Sequence, residues 1–121
     1  MAETTLEFAT VADLAARIRA GALSPVQLAE ASLARIAALD TRLHAFIATT
    51  GDRALAEARA AETLLRSGHD LGPLHGIPYA VKDLYDVKGV ATTAGTRLRT
   101  NNVATRDCAA DRKSTRLNSS H

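Results

Sequence analysis

Cysteine is nearly absent from this 121-residue chain. Its one copy, Cys108, excludes an internal disulfide framework and any multi-cysteine metal site. Tryptophan is missing, and Phe8, Phe46, Tyr79 and Tyr85 are the only aromatics. A core of Ala, Leu and Val therefore has few large anchors. The expectation is a thin core and a stability below about 5 kcal/mol, the lower edge for complete domains. No apolar run approaches the roughly 18 residues of a membrane helix. No basic start leads into an apolar stretch, so no secretory leader is visible. These absences give a cytoplasmic reading without a membrane partner. His44, His69, His75 and His121 lack metal-ligand spacing, and the expected cofactor is none.

An excess of one charge is also missing from most of the chain. The net charge is +2 and the sequence pI about 9.0. A basic pI alone invites an anionic partner. Residues 1–110, however, hold twelve basic and twelve acidic residues. The whole excess sits in residues 111–121, DRKSTRLNSSH. Three basic residues there offer only weak nonspecific attraction to nucleic acid. The wording RKSTRLNSSH resembles translated sequencing-adapter sequence, so residues 111–121 are expected to be a non-native, disordered tail.

The first 67 residues read as helices. Thr10 and Asp13 form a capping pattern ahead of Val11, Leu14, Ala15 and Ile18, and Gly21 stops the helix. Ser24-Pro25-Val26-Gln27 is a stronger start, with Ser24 as cap, Pro25 at the first helical position and Gln27 reaching back. Leu28, Ala29, Leu33, Ile36, Ala37 and Leu39 carry an apolar face to about Asp40. Residues 43–50 are short and β-branched and read as a strand or an extended connector. A third helix opens at Gly51-Asp52, with Ala54, Ala58, Ala61, Leu64 and Leu65 inside, and ends at Gly68. The plain reading of all three is scaffold.

Composition changes at Gly68. Five of the seven glycines and two of the three prolines lie in residues 68–96, the pattern of tightly turned backbone. Within it, residues 77–83 read as a short strand, entered at Pro78. Lys82 ends this strand, which is expected to be buried. The chain has three lysines against twelve arginines, so lysine here is a specific choice. A desolvated lysine can lose its proton and serve as a general base. The plainer reading is a strand-end lysine reaching solvent, paired with Asp83 or Asp86. Cys108 with His75 as base is a weaker catalytic pair, since nothing in the sequence brings them together. His75 is better read as structural.

The string Gly72-Pro-Leu-His-Gly-Ile-Pro-Tyr-Ala-Val-Lys-Asp83, then Val87-Lys-Gly-Val and Thr92-Thr-Ala-Gly95, resembles the amidase signature family. Gly21-Ala-Leu-Ser24, Leu43-His-Ala-Phe46 and Ala104-Thr-Arg-Asp-Cys-Ala-Ala110 extend the resemblance to residues 10–110. The family includes bacterial amidases and the A subunit of the tRNA-dependent amidotransferases. It implies a Ser–Ser–Lys triad acting on amides without metal or organic cofactor. One serine attacks the carbonyl, a second on a cis peptide relays its proton, and the lysine drives the relay. Lys82 matches that lysine. Thr92, Thr93 and Gly95 fall near the substrate region by analogy, and a tight-turn role explains them equally well.

Both catalytic serines of the family lie in a downstream glycine- and serine-rich loop. Ser24, Ser32, Ser67, Ser114, Ser119 and Ser120 have no such context. The resemblance therefore implies an N-terminal fragment holding one of three catalytic residues, inactive on its own. The implied fold class is α/β: N-terminal helices plus the first strand or strands of a mixed sheet, truncated. Residues 1–110 would be part of the amidase signature domain. A small-molecule amide is the expected substrate. The first alternative is the A subunit of a tRNA-dependent amidotransferase, the only reading with a nucleic-acid partner. A small helical interaction module, in which Lys82 has no catalytic role, is the alternative of another class.

Overall fold

A computed structural model describes residues 6–109. These divide into two units, the first running to Pro78 and the second beginning at Tyr79. The expected tail, residues 111–121, lies outside the described residues.

The first unit is built from three helices, α1 (Val11–Arg19), α2 (Pro25–Leu43) and α3 (Gly51–Arg66). A 3-10 turn, Leu6–Phe8, precedes them. Each start follows from its local sequence. The Thr10 hydroxyl accepts from the Asp13 amide at the head of α1. At α2 the full reciprocal box forms: Ser24 Oγ accepts from the Val26 amide at 3.0 Å, and Gln27 Oε1 accepts from the Ser24 amide at 3.0 Å. These bonds satisfy amides that a helix start leaves without partners.

Leu14 and Ile18 of α1, Leu23, and Leu28 of α2 form the buried cluster, with Leu6, Ala9, Leu65 and Ile77 packed against it. Ala58 and Ala61 are the buried positions of α3, and α2 packs against α3. Val11 and Ala37, expected on the inner faces, are exposed.

Helix α2 runs past its expected end at Asp40 to Leu43 and closes on His44 in the left-handed region, φ 49°. The Asp40 carboxylate then accepts from the amides of Ala45 and Phe46 at 2.7 and 3.1 Å. Those amides are the donors a strand ladder would need, so residues 44–50 form a connector.

Arg19 and Asp70 anchor the stretch that follows α3. Arg19 Nε and Nη2 donate to the two Asp70 oxygens at 2.7 and 3.0 Å, and Nη2 also donates to the Gly72 carbonyl at 2.6 Å. The Arg19 hydrogen bond, followed by the Gly72 amide, lowers the Asp70 pKa to about 2. A folded value below the unfolded one stabilises the fold above the unfolded pKa, and this stabilisation is lost as pH falls from about 4 toward 2. Asp70→Asn is expected to cost about 1 kcal/mol or less at pH 7, because both side chains are over a third exposed to screening solvent. The difference from the parent chain should vanish in urea titrations near pH 2.

Gly76 holds φ +83°, and an added Cβ would lie 2.9 Å from Pro25 Cγ. Both the left-handed backbone and the closeness of the Pro25 ring demand glycine there. Gly76→Ala is expected to destabilise the first unit by about 1–3 kcal/mol, read as a lower urea midpoint.

The strand expected over residues 77–83 is not formed. Among the described residues the one β pairing is an isolated bridge, Ala91 with Val103. A strand exists only through a ladder with a neighbour, and no described segment pairs with residues 77–83. Tyr79, Val81 and Lys82 are correspondingly exposed, where a buried strand was expected; for Lys82 this matches the plainer reading of a lysine reaching solvent.

Candidate active-site segment

The second unit begins at Tyr79 and carries Lys82. Turns and side-chain carboxylates organise its described residues, with one 3-10 turn, Arg97–Arg99. The Lys82 carbonyl accepts from the amides of Leu84 and Tyr85 at 2.7 and 3.0 Å, which turns the chain directly after the lysine.

Asp83 faces Thr93. Its Oδ1 accepts from the Thr93 amide at 2.8 Å, and its Oδ2 accepts from the Thr93 hydroxyl. The Asp83 carbonyl accepts from the Ala94 amide at 2.9 Å. Main chain and side chain of one residue are thus both fastened to the Thr92-Thr93-Ala94-Gly95 turn. That turn places Ala94 and Gly95 at φ 50° and 76°. The Thr93 hydroxyl and then its amide hold the Asp83 carboxyl below its ordinary pKa.

Asp86 repeats the device. Its Oδ1 accepts from the hydroxyl of Thr92, a buried residue, at 2.8 Å. Thr92 is held in turn by Asn102: the Thr92 amide donates to the Asn102 carbonyl at 3.0 Å, and Asn102 Nδ2 donates to the Thr92 carbonyl at 3.1 Å. The Asp86 carbonyl accepts from the Cys108 amide at 2.8 Å, and Asp107 Oδ1 accepts from the Lys88 amide at 2.8 Å. The ion pair of Lys82 with Asp83 or Asp86, one of the sequence readings, is not found among the described residues. Both carboxylates turn to threonines.

The other candidates are accounted for locally. Ser24 caps α2. Ser32 Oγ donates to the Leu28 carbonyl at 2.9 Å, and Ser67 Oγ donates to the Thr63 and Leu64 carbonyls at 3.0 Å. Ser114, Ser119 and Ser120 lie outside the described residues. His75 is 2% exposed. Its Nδ1 accepts from the Leu71 amide at 3.1 Å. That amide can only donate, so the proton sits on Nε2, which donates to the Ala61 carbonyl at 2.8 Å. Neither nitrogen is left to activate Cys108, and His75 is the structural residue that its place in the sequence indicated. No described His, Cys, Asp and Glu cluster could hold a metal, and no described helix is long and apolar enough to cross a membrane.

The sequence reading placed Thr92 and Thr93 near the site but missed their bonds to Asp83 and Asp86, and it missed Asn102 altogether. The available signal was the order itself: two aspartates three apart, then two adjacent threonines before a glycine turn. Each of these residues alone is common at turns.

A family model described as Amidase matches residues 27–113. The A subunit of glutamyl-tRNA(Gln) amidotransferase from Streptomyces coelicolor is 45% identical over 89 residues, 74% of this chain and 18% of that protein. The protein of the same name from Anaeromyxobacter sp. strain K is 51% identical over 83 residues, 69% of this chain and 17% of that protein. The native peptide amidase of Stenotrophomonas maltophilia superposes with a TM-score of 0.87 at 37% identity, covering 93% of this chain and 23% of that one. The chain therefore spans about a fifth of the length of these relatives. The matched segment contains all but the first two residues of α2, together with α3, Lys82 and the threonine turn, and the chain belongs to the amidase family.

Proposed function

We propose that Lys82 is the general base of an amide-hydrolysing Ser–Ser–Lys site in a protein of the relatives' length. The observation that carries this reading is the setting of Lys82. It lies inside the family-matched segment, and its two neighbouring carboxylates are engaged by threonines. In its unprotonated form the Lys82 amine would take a proton from a serine hydroxyl as that oxygen attacks the amide carbonyl, through a second serine as relay. The same amine, once protonated, would return the proton to the departing nitrogen. The described serines serve helix backbones, so the nucleophile and relay belong to the downstream loop of the family. Taken alone, the 121-residue chain would not turn over amides. No metal or organic cofactor enters this chemistry.

In this reading residues 77–82 gain their strand character in the complete fold, as an early strand of a mixed α/β sheet that pairs with segments beyond the described residues. Residues 1–110 would be part of that one domain, the substrate a small-molecule amide, and the site of action the cytoplasm.

A second reading, part of the A subunit of an amidotransferase that works on an aminoacyl-tRNA with partner subunits, draws on a specific observation. The relatives of that name reach 45% and 51% identity, against 37% for the peptide amidase. Family membership favours both over an interaction module without catalysis.

A chimera tests the reading. Residues 6–109 replace the superposing segment of the Stenotrophomonas maltophilia peptide amidase, and peptide-amide hydrolysis is measured with Lys82 or Ala at that position. Activity that depends on Lys82 supports the proposal; a folded chimera equally active with Ala overturns it.

A further inference from the structure

An aspartate directly after a lysine is a ready ion-pair partner for it. Such a pair would favour the charged ammonium and draw it back along its own backbone. Here both Asp83 oxygens accept from Thr93, one from the amide and one from the hydroxyl, while the Asp83 carbonyl accepts from Ala94. Three bonds to one turn fix the residue next to Lys82 in main chain and side chain alike. They also orient the carboxylate by donors ten positions away.

We infer that Asp83 and Thr93 form a positioning clamp for Lys82, which fixes the backbone that carries the lysine and keeps the adjacent carboxylate from pairing with its amine. The inference rests on the proposed role of Lys82 as base. It assigns Asp83 and Thr93 no contact with substrate; they act through Lys82. The lowered Asp83 pKa agrees with the clamp, because donors to the charged form stabilise it. The Asp86–Thr92 bond, with Asn102 behind it, holds the neighbouring position of the same turn.

Two measurements test the clamp. In the 121-residue chain, the Asp83 carboxyl carbon is titrated by NMR. Its midpoint should lie below the ordinary aspartate range, rise in Thr93→Val, and stay low in Thr93→Ser, which keeps the hydroxyl. An ordinary midpoint in the parent chain, or one unmoved by Thr93→Val, overturns the clamp whatever the chimera does. In the active chimera, Thr93→Val should lower kcat by about 10- to 100-fold, the scale of a small misplacement of a catalytic group. KM should stay within about twofold, the pH profile of kcat should shift, and Thr93→Ser should restore most of the rate. A Thr93→Val chimera with parental kcat and pH profile, in which Lys82→Ala is inactive, overturns the clamp and leaves the role of Lys82 standing. A chimera indifferent to Lys82→Ala removes both.

Discussion

Lys82→Ala in the chimera is expected to lower kcat for amide hydrolysis by about 100- to 10,000-fold, the range over which a positioned general base contributes. The loss should fall on the chemical step, and a circular dichroism spectrum matching that of the Lys82 chimera checks that the fold is preserved. KM should change little, since the proposed role is in proton transfer and not in holding substrate. Lys82→Arg separates the two things a lysine could supply. A guanidinium keeps the positive charge but does not give up its proton in proteins. If Lys82 only provided charge, Arg would restore much of the rate. For a base, Arg should be about as poor as Ala. Steady-state kinetics on the parent and the two variants decides between them, and recovery in the Arg variant would refute proton transfer by Lys82.

The second large effect is on stability. His75→Ala is expected to cost about 2–4 kcal/mol, combining a buried cavity with two backbone groups left without partners. The ring is 2% exposed and joins the Ala61 carbonyl of α3 to the Leu71 amide of the following loop. With a stability expected below about 5 kcal/mol, such a loss should bring unfolding close to ambient conditions. His75→Leu divides the cost. Leucine fills much of the ring's volume but bonds neither backbone group. If hydrogen bonding carries the effect, His75→Leu should unfold nearly as readily as His75→Ala in urea, followed by the helical circular dichroism signal. A leucine variant as stable as the parent chain would show that packing alone matters here.

The helices were legible because their signals are local. Thr10 and Ser24-Pro25-Val26-Gln27 specify their caps within three or four residues, and the structure forms those bonds. The inner stripe of α3 follows from helical spacing alone, with Ala58 and Ala61 buried. Local signals failed where a partner decides the outcome. Residues 77–83 have strand composition, yet a strand needs a neighbour to bond with, and none of the described segments serves. Residues 43–50 were ambiguous for a related reason: the Asp40 carboxylate claims two of their amides, and nothing in their own composition announces it.

The same division runs through the site. Lys82 could be singled out from chain order, because its rarity and its motif are properties of consecutive residues. So could the neutrality of residues 1–110, which removes the basic pI as a clue to function. The pairing of Asp83 with Thr93 and of Asp86 with Thr92 could not, and neither could the tie between Arg19 and Asp70, 51 positions apart. A carboxylate has several plausible donors within reach of its chain neighbours. Only the folded turn brings Thr92 to Asp86 and Thr93 to Asp83, and so selects one donor set from the rest.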